Sequence, residues 1–201
     1  MKRTELSHPR VFNDEEWAKG YYQRNSKNIE RVGKRFVQLL ERSGFEEGRI
    51  LDTGCGFGTV PIEIAKRFNK AMIVGIDLGR PLLELGQNLA GEAGVADRIV
   101  FSEGDVHKLD FEDGSFDLVI NTFMMHIVED PVAMLNEIER IATPQARIMI
   151  TDLRRIWIGL FLKKIRTAFT LEEGMEYIRK SRLRSGTSSK GPFWWDYMVG
   201  I

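Results

Sequence analysis

The segment Ile50-Leu51-Asp52-Thr53-Gly54-Cys55-Gly56-Phe57-Gly58-Thr59-Val60-Pro61 constrains the fold more than any other stretch of the chain. An apolar run enters a turn with glycine at alternate positions, and Pro61 falls where the first turn of a helix tolerates it. Alternating glycines let the backbone take positive φ and approach a ligand closely, while the helix that follows offers its N-terminal N–H groups to a carboxylate or phosphate. Strand, glycine loop and helix in that order predict the front of a βαβ unit that holds a nucleotide-like ligand.

From about residue 49 onward, short β-branched runs alternate with helical periodicity, which predicts an α/β fold of the Rossmann-like, doubly wound kind: a mainly parallel sheet with helices on both faces. The spacing predicts strands at Arg49–Thr53, Ala71–Asp77, Ile99–Asp105, Phe116–Thr122 and Ala146–Asp152, several too apolar to have a solvent face. Helices are predicted at Val60–Phe68, Pro81–Ala93 and Pro131–Ala142, the last with Val132, Leu135, Ile138 and Ile141 on one stripe. Ahead of the sheet, Asp14–Arg42 reads as an amphipathic helix with Gly44 just past its end. Thr170 with Glu173 forms a capping-box pattern that opens a helix through about Ser181, and the closing GPFWWDYMVGI reads as a strand. No Pro/Gly/Ser-rich linker divides the chain, so one domain over 1–201 is expected: a helical lid segment at 1–44, a cofactor-binding core at 45–152 and a C-terminal helix and strand at 153–201.

Bulk charge excludes little but directs the search. With 29 basic and 29 acidic residues, neither disorder nor a strongly nucleic-acid-like surface is indicated. The balance is uneven, because residues 154 to 201 carry ten basic side chains against four acidic ones. That basic tail reads as a solvated face, with an anionic surface or substrate as the alternative. The opening MKRTELSHPR leads into no apolar signal core, and no apolar run approaches the ~20 residues that span a bilayer. A cytoplasmic protein without stable membrane insertion is therefore expected. Cys55 is the single cysteine, which excludes an internal disulfide and any zinc site of several thiolates, and no metal is expected.

Which nucleotide the loop holds follows from spacing. A dinucleotide GxGxxG/A fingerprint begun at Gly54 meets Thr59 at its last position, and one begun at Gly56 meets Pro61, so both registers fail. What remains is DxGxGxG with Asp52 at the strand end. A second strand, Val74-Gly75-Ile76-Asp77-Leu78, ends in a carboxylate about 20 residues on, where a ribose-binding acid belongs. A third ends in Glu103-Gly104-Asp105-Val106, and Leu109-Asp110-Phe111-Glu112-Asp113-Gly114-Ser115-Phe116-Asp117-Leu118-Val119 leads into the fourth.

These four features in chain order resemble class I S-adenosylmethionine-dependent methyltransferases, in particular the small-molecule enzymes of the ubiquinone/menaquinone-biosynthesis type. The resemblance covers roughly residues 45 to 152. It implies S-adenosylmethionine as cofactor, with Asp52 orienting its methionine amino group, Asp77 and Leu78 at the ribose, and Asp105 and Val106 at the adenine. Gly54, Cys55, Gly56 and Gly58 shape the loop, and Asn121 borders the pocket after the fourth strand. It also implies a small-molecule methyl acceptor. The (Asp/Asn/Ser)-Pro-Pro-(Tyr/Phe) motif of exocyclic-amine methyltransferases is replaced by Asn121-Thr122-Phe123-Met124, so DNA is not expected as a substrate, and RNA or protein less than a small molecule. One departure is Thr143-Pro144-Gln145-Ala146, where the family has a Lys-Pro-Gly-Gly turn.

Tyr21, Tyr22 and His126 are candidate substrate contacts. His126 is the one residue to test as a general base, with a histidine satisfied by local hydrogen bonds as the alternative. Cys55 reads as a small turn residue rather than a nucleophile. Three functions stay open: methyl transfer, S-adenosylmethionine binding without catalysis, and nicotinamide oxidoreduction, the last opposed by the failed fingerprints. Oligomeric state and the acceptor atom are not encoded in any motif.

Overall fold

The computed structural model describes residues 13–156 and 166–201; residues 1–12 and 157–165 lie outside them. Seven strands form one sheet in the order β3-β2-β1-β4-β5-β7-β6. β1 (Glu47–Thr53), β2 (Lys70–Asp77), β3 (Ile99–Glu103), β4 (Phe116–Thr122) and β5 (Ala142–Leu153) are mutually parallel where they pair. β7 (Trp194–Val199) joins β5 antiparallel, and β6 (Thr187–Lys190) closes the edge against β7.

Alternation along the central strands decides which helices lie on which face. Ile50, Ile73, Leu118, Ile120 and Met149 pack with Phe36 and Leu40 of α1 (Glu15–Arg42), Val60 and Ile64 of α2 (Thr59–Arg67) and Ala90 of α3 (Arg80–Glu92). Their neighbours Leu51, Val119, Ile148 and Ile150 point the other way, onto Leu135 and Ile138 of α4 (Pro131–Ile141) and Ile178 of α5 (Leu171–Lys180). The sheet is thus buried on both faces, as parallel strands require.

Each predicted helix forms, with boundaries within a residue or two. Asp14 caps α1 by accepting the Trp17 N–H at 2.8 Å, and Thr170 and Glu173 make the reciprocal capping box of α5. Beyond its apolar stripe, α1 is pinned by Arg35, whose guanidinium donates to both oxygens of buried Asp196 on β7, at 3.0 and 2.6 Å, and to Thr151 on β5 at 3.0 Å. A two-pronged guanidinium–carboxylate pair is the arrangement that compensates a buried charge best.

The strands depart from expectation most at β3, β5 and the C-terminal edge. β3 ends at Glu103, because Gly104 turns the chain before Asp105. β5 starts at Ala142, so Thr143–Ala146 is extended rather than a turn; Phe116 pairs with Ala142 and Leu118 with Arg147, and the extra residues bulge out of register. The closing segment is a hairpin rather than a lone strand. β6, Thr187-Ser188-Ser189-Lys190, is exposed at every residue and carries no apolar alternation, so only its pairing with β7 makes it a strand. Among the described residues no helix is long and apolar enough to cross a membrane.

Candidate functional site

The strand order reverses between β1 and β4, and the crevice outside the carboxyl ends of the strands at such a switch point is where open α/β sheets bind ligands. A cavity of about 500 Å³ lies there, lined from the β1, β2 and β4 ends and covered by Trp17 and Tyr21 of α1.

Its first wall is the glycine loop. Gly54 and Gly58 adopt φ of 79° and 71°, the left-handed region that glycine enters without a Cβ penalty. A Cβ on Gly54 would stand 2.2 Å from Cγ of Met124, and one on Gly58 2.3 Å from the Phe101 ring, so both positions also need the space. The N–H groups of Gly54 and Cys55 donate to the carbonyl of Ile76 at 2.8 and 2.9 Å, tying the loop to the end of β2. Asp77 completes the tie: Oδ2 accepts the Gly56 N–H at 2.9 Å and Oδ1 the Gly79 N–H at 2.8 Å. Each carboxylate oxygen has a second lone pair, so these bonds leave Asp77 able to accept from a ligand in the cavity it lines.

Asp52 faces the same cavity with only 1% of its surface exposed, and its Oδ1 has no hydrogen-bond partner among the described residues. Burial, and then the charge of Asp77, pushes its carboxyl up to about 8. Asp77 is also raised by burial, against the lowering effect of its backbone N–H donors. Burial and then both acids push the Cys55 thiol well up, which opposes a nucleophilic role and agrees with a packed turn residue.

At the end of β3, Asp105 and Val106 line the cavity beside His107. Asp105 is held below the usual carboxylate range, first by the His107 N–H at 2.9 Å and also by the His107 ring at 2.7 Å. Leu78 borders the mouth, half exposed.

The residues singled out from sequence divide clearly. Asp52, Gly54, Cys55, Gly56, Asp77, Leu78, Asp105, Val106, Tyr21 and His126 come together around the cavity. Gly58, Asn121 and Tyr22 do not line it. Gly58 is the N-cap of α2, packed on Phe101. Asn121 is buried between strands, its Nδ2 donating to the Thr53 carbonyl at 3.1 Å and hydroxyl at 2.9 Å, so it joins β4 to β1. Tyr22 points its ring edge-on at Phe57, at 5.1 Å. Tyr21 stacks on Trp17 at 5.1 Å, and burial, then Asp77, pushes its phenol up to about 12.

Sequence reading missed Trp17, Phe123, Met124, His107 and the partner of His126. Trp17 and Tyr21, four residues apart on α1, carried a signal as one aromatic stripe. Phe123 carried none: it holds φ of 57° with a full side chain, at the bend that leaves β4 and borders the cavity. His126, 3% exposed, places Nδ1 2.5 Å from Oδ1 of Asp152, which is wholly buried near the end of β5.

Fold and site define a doubly wound α/β protein with a ligand crevice, ringed by carboxylates, at its switch point. The methyltransferase-domain family matches residues 45–188, and the chain belongs to that family. It is 30% identical over 157 residues to a ubiquinone/menaquinone biosynthesis C-methyltransferase of Bdellovibrio bacteriovorus, covering 72% of this chain and 66% of that one. It is 30% identical over 116 residues to norajmaline N-methyltransferase of Rauvolfia serpentina, covering 58% of this chain and 39% of that one. The chain spans 39%, 53% and 66% of the lengths of three such curated relatives. A crystal structure of a SAM-dependent methyltransferase from Aquifex aeolicus superposes with a TM-score of 0.70 at 19% identity, covering 80% of this chain and 86% of that one, which establishes the shared fold.

Proposed function

We propose that the chain transfers a methyl group from S-adenosylmethionine to a small-molecule acceptor. The observation that carries this reading is Asp52: a buried carboxylate oxygen without a partner among the described residues, facing the cavity beside a second acid, fits a cationic ligand group such as the ammonium of the cofactor's methionine end. Asp77 would accept from the ribose hydroxyls, Asp105 and the Val106 backbone would meet the adenine, and the Gly54–Gly56 backbone would pass beneath the methionine chain. The relatives support the cofactor and a small acceptor; their names include C- and N-methyltransferases, so the acceptor atom is not carried over from them.

The sulfonium supplies a methyl that is already activated. The protein's share is therefore to exclude water and hold the acceptor in line. Trp17, Tyr21, Phe123, Met124 and Val128 wall the cavity with apolar surface suited to that exclusion. One folded unit in the cytoplasm, with neither nucleic acid nor membrane as partner, completes the proposal.

Incubation of the protein with methyl-labelled S-adenosylmethionine, separate small-molecule hydroxyl, amine and thiol panels, RNA and a protein fraction tests the acceptor class. Label is expected in a small-molecule product. Label confined to RNA or protein would contradict it, and an RNA acceptor would also bind with steep salt dependence.

A further inference from the structure

A hydrogen-bonded bridge joins the two ends of the cavity. At the acid-lined end, the turn after β3 presents Asp105 and Val106. At the other, segment 123–130 supplies an apolar wall through Phe123, Met124 and Val128 and runs into Asp130, the N-cap of α4. His107 lines the cavity and touches both: its ring Nδ1 lies 2.7 Å from Oδ1 of Asp105, and its Nε2 accepts the Asp130 N–H at 3.2 Å. An N–H aimed at Nε2 leaves the ring proton on Nδ1, where it donates to the carboxylate, so both nitrogens are engaged in one neutral tautomer.

The turn does not need this bridge for its own hold on α4. The Leu109 N–H donates to Glu137 at 2.9 Å, and Arg140 donates to the Leu109 and Phe111 carbonyls at 2.8 and 2.7 Å, further along the same helix. What His107 adds is a link to the last residue of the apolar segment. That segment is tied at its start by the Phe123 N–H on the Thr151 carbonyl at 2.8 Å, and internally by the Ile127 and Val128 N–H groups on the Met124 carbonyl at 2.9 and 3.2 Å.

Asp105 is only half committed. The His107 N–H and ring both fall on Oδ1, so Oδ2 has no partner among the described residues. The His107 and Asp105 side chains are 27% and 54% exposed. A pair open to water contributes little, and the same pair strengthens once a ligand covers it and lowers the local dielectric. A donor on Oδ2 would therefore fix the carboxylate, and with it the ring and the Asp130 N–H.

We propose that His107 is a positioning residue that couples the two ends: an adenine amine bound at Asp105 tightens the His107 bridge and orders the 123–130 wall, so that the cofactor completes the acceptor site. The coupling rests on the methyl-transfer reading. Linkage is reciprocal, so an acceptor seated against the ordered wall holds the cofactor more tightly by the same factor.

Hydrogen exchange read by NMR on the full chain tests this, with S-adenosylhomocysteine as the probe. Saturation should slow exchange of the Ile127, Val128 and Asp130 amides about fivefold or more. Two variants separate the bridge from direct shielding by the ligand. His107→Asn can still donate toward Asp105 but falls short of Asp130, so the slowing should drop below about twofold in protein saturated with the same probe. His107→Gln, whose amide oxygen reaches about as far as Nε2, should recover most of the slowing. A packing role alone would not sort Asn from Gln in this way. Nitrogen-15 histidine NMR of the free protein at mildly alkaline pH should place the His107 proton on Nδ1. A proton fixed on Nε2, equal slowing in His107→Asn, or a Gln variant no better than Asn overturns the bridge. Binding of S-adenosylhomocysteine without slowing in the unaltered protein removes the coupling alone, whereas failure of any adenosyl compound to bind removes the methyl-transfer reading and the coupling with it.

Discussion

The two ends of the cavity are built by different means. At the β1–β3 end, backbone groups do the organising: loop N–H groups reach the Ile76 carbonyl and the Asp77 carboxylate, all within about one βαβ unit. At the β4–β5 end, side chain meets side chain across 26 residues, His126 to Asp152, inside an apolar wall. A site made from backbone and glycine tolerates little change and is the same for any acceptor. One made from side chains can be altered residue by residue, so the proposed methyl-transfer reading assigns acceptor choice to the second end.

The largest effect is expected where the ends touch. Gly54→Ala puts a Cβ into Met124 and forces a non-glycine residue to φ 79°, at about 1–2 kcal/mol for the backbone alone before the clash is counted. Chemical denaturation should show a loss of about 2 kcal/mol or more, with S-adenosylhomocysteine binding weakened beyond about tenfold. Retention of wild-type stability and affinity would show that the glycine loop is not the rigid half.

Asp77→Asn is next. An amide offers one acceptor oxygen, so the Gly56 or Gly79 N–H must face an NH₂ group, and a loss of about 1–3 kcal/mol in stability is expected together with weaker adenosyl binding. His126→Gln, in contrast, should leave S-adenosylhomocysteine affinity within about twofold, a difference below about 0.5 kcal/mol. An equal loss of binding in both variants would erase the division between the ends.

Stability against pH separates them again. Asp52 stands near 8 in the folded chain and near the ordinary carboxylate value of about 4 when unfolded, so between those limits the folded state binds more protons. The stabilisation is complete below about pH 4 and is lost as pH rises through about 8. Melting curves of the free protein should therefore fall across that window, and Asp52→Asn should flatten the fall.

The smallest effect belongs to Phe123→Gly. Relief of positive φ, worth about 1–2 kcal/mol, opposes the loss of apolar packing, so net stability should change by less than about 1 kcal/mol. Adenosyl binding should be nearly unchanged, while affinity for apolar acceptors falls.

The contrast also explains what was legible in the sequence. Strand positions, helices on both faces of the sheet and the carboxylates at Asp52, Asp77 and Asp105 depend on local pattern: apolar runs, turn glycines and acids at strand ends. Asn121 was expected at the pocket and is absent from the cavity lining; its neighbours on β4 alternate faces, and only the pairing with Thr53 shows which side its amide takes. β6 is a strand by pairing alone, without apolar alternation of its own, and Thr143–Ala146 is extended as the unpaired bulge between the Phe116–Ala142 and Leu118–Arg147 pairs. His126 was visible as a residue after a strand, but Asp152 as its partner was not, since nothing local links two positions brought together by β4 lying beside β5.

The most direct test of methyl-donor binding is calorimetric titration of the protein at neutral pH with S-adenosylmethionine, S-adenosylhomocysteine and NADH, in two buffers of different ionisation enthalpy. Both adenosyl compounds should bind, with a proton released as Asp52 ionises to meet the ligand's ammonium, and Asp52→Asn should bind at least about tenfold more weakly without that release. Binding of NADH without binding of either adenosyl compound would contradict the assignment at its root.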